Sequence, residues 1–323
     1  MKKAFLLFFI IFSLLEAKKI TIKFASLAPE GTVWNDMLIE MKQEWQTATE
    51  NKVRIKIYPG GILGDERDMV RNMRIGRLHG AGLTTEGLTE LAPDFSAFFL
   101  PMVYKNEDDI YKVLNELLPD LEKTIESRGA KLLYIANLGW AYWFTKEIIK
   151  RPDDLLDKKI FTWAGNYRYA EIYKRAGYSV VPLAGTEILS SLQTGMVDAI
   201  TTMPLYALAG QSFGIANNML DLKWGFLLAG IVIDLNTWNS IPEKYHTRLM
   251  EISNNMQKKS MEMNRKAELD AINAMKSYGL KVQALNQEEM DAWEKRAEEI
   301  IPILRGYTIP ENLFDRVFEI LKN

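Results

Sequence analysis

Cysteine is absent from the chain, and with it go disulfide frameworks, zinc knuckles, iron–sulfur ligation and thiol nucleophiles. Histidine is nearly absent: His79 and His246 are the only two. That is too few for a multi-histidine metal site or an HExxH protease, and most catalytic triads would depend on reaching one of them. Charge of one sign is lacking too. With 40 basic against 42 acidic residues the formal net charge is −2, and Lys and Arg are scattered among acids, so no field or basic stripe exists to hold nucleic acid. These absences favour binding over chemistry, with no resident cofactor, no metal and no nucleic-acid partner. What is present is ordinary globular composition, 48% hydrophobic and 25% charged over 323 residues, room for one or two domains.

Long apolar runs are also scarce. Ala4 to Leu15 is one, broken only by Ser13, preceded by Met1-Lys2-Lys3 and followed by Glu16, Ala17, Lys18 and Lys19. It falls short of the roughly 20 residues that span a bilayer and has the layout of a secretory signal peptide, residues 1–17, cleaved near Ala17. The segment 226–235 stops at Asp234. With no cysteine at the cleavage point a lipid anchor is excluded, so the expected location is the periplasm, as a freely diffusing protein.

The rest alternates between two periods. Ile20, Ile22 and Phe24 recur every second residue, as in a half-buried strand. Trp34, Met37, Leu38, Met41 and Trp45 then lie on one helical stripe. Val53, Ile55 and Ile57 alternate again, Gly60-Gly61 turns the chain, Asp65 and Glu66 open a second helix ending near Gly76, and His79 to Thr84 reads as a short strand. Strand, helix, strand, helix, strand with short loops is the rhythm of a parallel sheet. It returns at Lys159 to Trp163, about 166–176, Tyr178 to Pro182, Thr186 to Gly195 and Asp198 to Met203. Two α/β lobes follow. Lys131 to Gly139, strand-like to Ala136, and an apolar strand from Leu227 to Trp238 suggest that the chain crosses between lobes more than once. From Pro242 to about Lys276 no Pro or Gly interrupts an irregular apolar face. The expected helix, 242–276 and about 50 Å long, is longer than one lobe needs and should brace both.

Four segments carry a family resemblance: Gly60-Gly-Ile-Leu-Gly64-Asp-Glu-Arg, Phe99-Leu-Pro101-Met-Val-Tyr, Pro152-Asp-Asp-Leu-Leu-Asp-Lys-Lys159-Ile, and Thr186-Glu-Ile-Leu-Ser-Ser-Leu-Gln193-Thr-Gly195-Met-Val-Asp198. In this order they resemble solute-binding proteins of tripartite ATP-independent periplasmic (TRAP) transporters, over nearly all of the mature chain. The resemblance implies a two-lobed α/β binding protein of the Venus flytrap kind with a long helix across both lobes, closing on a small ligand and delivering it to membrane permease subunits. Lobe I is expected to comprise 18–137 and 226–255, and lobe II 138–225 and 256–323; oligomeric state is not legible.

The resemblance also implies an arginine directly after Lys-Ile, able to pair with a carboxylate bidentately. Here that residue is Phe161, and the arginine often found just after the glycine of the Gly139 segment is replaced in the run Gly139-Trp140-Ala141-Tyr142-Trp143. Eight aromatics instead fall between Gly139 and Tyr169, well above the 11% of the whole chain. Trp140 and Trp163 follow strand ends facing the expected cleft, with Tyr142 and Tyr167 beside them; Phe144, Phe161 and Tyr169 read as core. Arg168 is the substitute anion partner, unless it is an exposed helix residue. Loop positions after strands add Trp34, Glu66 and Thr85 with Glu86 from the first lobe, Thr202, Met203 and Tyr206 from the second, and Trp224 before the returning strand. The expected ligand is an aromatic or branched monocarboxylate rather than a C4 dicarboxylate, because an unpaired buried ion costs several kcal/mol.

Two rivals share the sequence. Gly210-Gln-Ser212-Phe-Gly214 fits a nucleophile elbow, with Asp234 and His246 following in hydrolase order, although Pro204 to Ala209 reads as a helix start and no Gly-rich oxyanion loop precedes it. A ligand-sensing input protein of the same fold is the other.

Overall fold

The computed structural model describes residues 19–322, so the expected signal peptide lies outside the described residues. Its first unit is β1 (Ile20–Ser26), α1 (Val33–Ala48), β2 (Val53–Tyr58), α2 (Glu66–Arg74) and β3 (Gly80–Thr84), followed by the short α3 (Thr85–Leu88) and α4 (Glu107–Ser127). Thr32 starts α1 by accepting the Asn35 N–H at 3.4 Å, and the buried Trp34, Met37, Leu38, Met41 and Trp45 form its inner stripe. Strand β4 (Ala130–Thr145) leads to the second unit: β5 (Lys159–Trp163), α5 (Tyr167–Arg175), β6 (Ser179–Leu183), α6 (Ile188–Thr194), β7 (Ala199–Thr202) and α7 (Pro204–Ala209). The chain closes with β8 (Asn218–Leu220), β9 (Gly225–Asp234), α8 (Leu235–Ser240), α9 (His246–Ser277), β10 (Lys281–Gln283), α10 (Gln287–Leu304) and α11 (Glu311–Lys322).

Strand order is β2-β1-β3-β9-β4-β7-β5-β6. The first lobe's strands β1, β2 and β3 are mutually parallel, as are β5, β6 and β7 in the second. Antiparallel β4 and β9 join the two sets: β4 pairs with β9 from Ala130 to Ala141 and with β7 from Tyr142 to Thr145. The strand read from sequence as fading at Ala136 therefore runs on to Thr145, 16 residues in all, and the expected strand Leu227 to Trp238 ends at Asp234, whose carboxylate accepts the Thr237 N–H at 2.8 Å and starts α8.

Helix α9 has 32 residues, about 48 Å at 1.5 Å per residue, and packs on both α1 and β4. Its face is irregular because it carries a buried polar row. The register of β4 against β9 slips between Leu132 and Tyr134 and between Asn137 and Gly139, and such bulges deprive strand amides of ladder partners. Gln257 accepts the Ile135 N–H at 3.1 Å, Ser260 that of Asn137 at 3.3 Å and Glu268 that of Trp140 at 3.4 Å. Asn264 donates to the Asn137 side chain and accepts the Trp34 indole N–H at 3.0 Å. Gly139 has φ +98°, and a Cβ there would stand 2.6 Å from the Asn264 amide nitrogen, so glycine is what lets α9 lie against the crossing strand.

Candidate functional site

A cavity of about 210 Å³ lies between the lobes. Its first-lobe wall comes from the end of β1 (Ser26, Leu27), the start of α1 (Trp34, Met37) and the turns around α2 and α3 (Glu66, Glu86). The opposite wall is β5 (Phe161, Thr162, Trp163) with Tyr169 of α5 and the segment Thr201 to Tyr206. Strands β4 and β9 make the floor with Tyr134, Ala136, Leu138, Ala141, Trp143 and Phe226. These are the carboxyl ends of parallel strands, the edge where open α/β sheets place ligands.

The lobes touch across this space. Trp163 donates its indole N–H to Asp65 Oδ2 at 2.7 Å, a buried bond between residues 98 positions apart. Asp65 stands at the N-cap of α2, yet its side chain makes no cap bond there; it is spent on the other lobe, and Oδ1 is buried without a partner. Gly61, with φ +74°, would carry a Cβ 2.5 Å from Thr186 Cγ2, so the Gly60-Gly61 turn also allows the second lobe to approach.

Of the residues expected at the site, Trp34, Glu66, Trp163, Thr202, Met203, Tyr206 and Trp224 line this cavity, as does Glu86. Five others do not. Trp140 packs edge-on against Phe226 with centroids 5.0 Å apart, beneath Lys223, and Tyr142 donates its hydroxyl to Glu268 at 3.0 Å. Neither lines the cavity, because the Asn137/Gly139 bulge changes which alternate residues look inward: Tyr134, Ala136 and Leu138 line it before the bulge, Ala141 and Trp143 after it. Thr85 is fully buried, its hydroxyl bonded to both the Leu228 carbonyl and N–H, so it extends the contact between β3 and β9. Tyr167 is 66% exposed. Arg168 is exposed as well and donates to the Tyr307 carbonyl at 3.1 Å; the anion partner expected there belongs to the protein exterior. In the other direction, Phe161 and Tyr169, read as core, are cavity walls, and Trp143, Ser26, Phe99 and Tyr134 join them without having been singled out.

The hydrolase constellation is not assembled. Ser212 is buried and bonded to the Ala207 carbonyl at 3.4 Å. His246 stacks on Trp238 with centroids 4.4 Å apart and contacts the Ile241 carbonyl, while Asp234 caps α8.

Charge inside the cavity has one sign. Among the described residues no lysine, arginine or histidine lines it, and its ionisable acids are Glu66 and Glu86. Glu66 is 1% exposed, and Thr84 donates both its N–H and, at 2.8 Å, its hydroxyl to the two carboxyl oxygens. Burial pushes Glu66 up to about 8 despite those bonds. Burial, reinforced by Asp65, pushes Glu86 up to about 7. Both remain protonated in the fold over a range in which the unfolded chain, with carboxyls near 4.5, has released its protons. The unfolded state then binds fewer protons, so stability falls as pH rises from about 4.5 toward 7 to 8. Each group contributes up to about 1.4 kcal/mol per pH unit in that window. Urea midpoints at pH 5, 6.5 and 8 should therefore decline more steeply in the unliganded wild type than in Glu66→Gln or Glu86→Gln. Parallel declines in all three proteins would contradict this electrostatic reading.

Residues 24–304 match the family of bacterial extracellular solute-binding proteins, family 7. The C4-dicarboxylate-binding periplasmic protein DctP of Rhodobacter capsulatus is 22% identical over 285 residues, 86% of this chain and 84% of its own. Among solved structures, a TRAP periplasmic solute-binding protein from Sulfurospirillum deleyianum with bound succinate superposes with a TM-score of 0.87 at 20% identity, over 94% of this chain and 99% of that one. The sugar-acid-binding protein DctPAm from Advenella mimigardefordensis, in complex with galactonate, also gives 0.87, at 16% identity and over 95% and 99% of the two chains.

Proposed function

The chain belongs to family 7 of the bacterial extracellular solute-binding proteins, and from that premise we propose that it is the periplasmic receptor of a TRAP transporter, taking a small, largely apolar solute between its lobes and passing it to the membrane permease. The reading rests on the cavity: it is walled by both lobes, which the Asp65–Trp163 bond joins, the arrangement of a receptor that closes on its cargo. Its relatives are binding proteins, and Ser212, Asp234 and His246 each serve a separate structural contact, so the role is transport rather than hydrolysis. Lobe boundaries at residues 137/138, 225/226 and 255/256, with closure about β4 and β9, are part of the same proposal.

The aromatic or branched body expected from the sequence fits walls built of Trp143, Phe161, Trp163 and Tyr169. The carboxylate expected with it meets no cation among the described residues of the wall. Arg168 is engaged outside with Tyr307, and Phe161 stands where the resemblance implies an arginine. A dianion entering this cavity would be desolvated beside Glu66 and Glu86 with no cation to repay it.

A thermal-shift screen tests this. A solute that binds the folded state alone raises the melting temperature, by about 2.7 kcal/mol of added stability at 100 times its Kd. Small aromatic and branched solutes should give such shifts, and succinate, malate and galactonate should not. A shift with succinate equal to the best apolar solute would overturn the proposal.

A further inference from the structure

We infer that the solute carries a protonated amine, received by the Glu86 carboxyl within the aromatic walls of the interlobe cavity. The inference rests on that cavity being the solute site and adds the sign of the charge it reads.

The two cavity glutamates are not equivalent. Glu66 has both oxygens taken by Thr84 and serves the turn into α3. Glu86, two residues beyond Thr84, lines the same cavity; its backbone carbonyl accepts from Thr89, but its carboxyl makes no hydrogen bond or ion pair with any described residue. A carboxyl half-buried beside an apolar cavity, without a donor, is either held neutral at a cost or matched by something that enters. The entering group must be a donor, because Asp65 and Glu66 already place acids beside it. Two further cavity residues, Ser26 at 3% and Thr162 at 9% exposure, have buried hydroxyls with no partner in the protein, and a hydroxyl can accept from an ammonium. Phe161, Trp163 and Tyr169 complete the setting, since aromatic faces attract a desolvated cation. A carboxylate ligand could accept from the two hydroxyls but would face the acids and the aromatic faces unfavourably. An amine on an apolar body suits the carboxyl, the hydroxyls and the aromatic faces alike.

The test uses the full mature protein and three matched probes, 3-phenylpropylamine, 3-phenylpropanol and 3-phenylpropionate, with cyclohexyl and isobutyl series beside them. Titration calorimetry at pH 8 should show the amine binding at least tenfold more tightly than the alcohol of its series, with the acid weakest. Glu86→Gln, an isosteric change, should bring amine and alcohol within about threefold of each other, whereas Glu66→Gln should keep a clear amine preference. Asp65 and Glu66 from α2 and Tyr169 from α5 are the titratable groups that face Glu86. As Glu86 takes up a proton below about 7, the wild-type amine affinity should fall roughly tenfold from pH 8 to pH 6, and that fall should shrink in Glu86→Gln.

Alcohol and amine binding alike, or acid binding best, would overturn the inference and leave the apolar receptor standing. An amine preference that survives Glu86→Gln would overturn the assignment to this residue. If no member of any series binds while a C4 dicarboxylate does, both this inference and the proposed function fall.

Discussion

Trp143→Ala should lower the stability of the protein by about 3–5 kcal/mol, the range for deleting a buried Trp or Phe side chain. Trp143 is 1% exposed and reaches two structures at once. Its ring sits 5.6 Å from Trp224 and 6.2 Å from Trp293, which are themselves 5.6 Å apart. This aromatic triangle joins the crossing strand β4 to the loop before β9 and to α10. Trp293 is pinned from its other side, donating to the Lys150 carbonyl at 2.9 Å, so the neighbours cannot readily collapse into the space. That is the circumstance in which the loss lies at the high end. Equilibrium urea unfolding checks it: the midpoint should fall sharply with little change in slope. A loss below about 1 kcal/mol would mean that the triangle repacks.

Trp163→Phe should shift the lobes toward an open arrangement. The phenyl ring keeps part of the wall but removes the N–H that meets Asp65 Oδ2, and Oδ1 is already without a partner. A buried acceptor deprived of its donor costs about 1–3 kcal/mol, more if charged. The closed form should accordingly lose between about fivefold and 150-fold of its population relative to the open one. Small-angle scattering of the unliganded variant should report a larger radius of gyration than the wild type. Asp65→Ala in the same chain should recover part of the loss, because no stranded carboxyl remains. Strictly additive effects of the two changes would show that the bond does not couple the lobes.

The periodic segments made much of this fold legible. The two β-α-β-α-β units, the helical stripe of Trp34 to Trp45 and the long uninterrupted run that became α9 were visible because period and punctuation report burial directly. Crossing strand β4 was harder. Alternation identifies which residues share a face, but a bulge inserts one residue and exchanges the faces beyond it, so Trp140 and Tyr142 were placed inward when Trp143 is. The positive-φ Gly139 was the available sign, since an isolated glycine within a strand pattern marks a bulge. Arg168 was placed in the cleft by chemical analogy, as the nearest cation to an aromatic segment. Its position in the exposed first turn of α5 depends on how that helix docks, which local pattern does not encode. Glu86 was visible only as the neighbour of Thr85, and its partnerless state depends on what the other lobe fails to bring. The polar row of α9, Gln257, Ser260, Asn264 and Glu268, could be read as an irregular face but not as the partner of a bulged strand.

On the proposed reading, the solute sits in an apolar cavity lined by acids and, among the described residues, by no cation. A crystal structure of the protein with the most stabilising solute from the thermal-shift screen tests it most directly. The solute should lie between Phe161, Trp163, Tyr169 and Trp224, its nitrogen within hydrogen-bond distance of a Glu86 oxygen and the Asp65–Trp163 bond intact. A solute held through a carboxylate by Arg168, or bound anywhere outside the interlobe cavity, would contradict it.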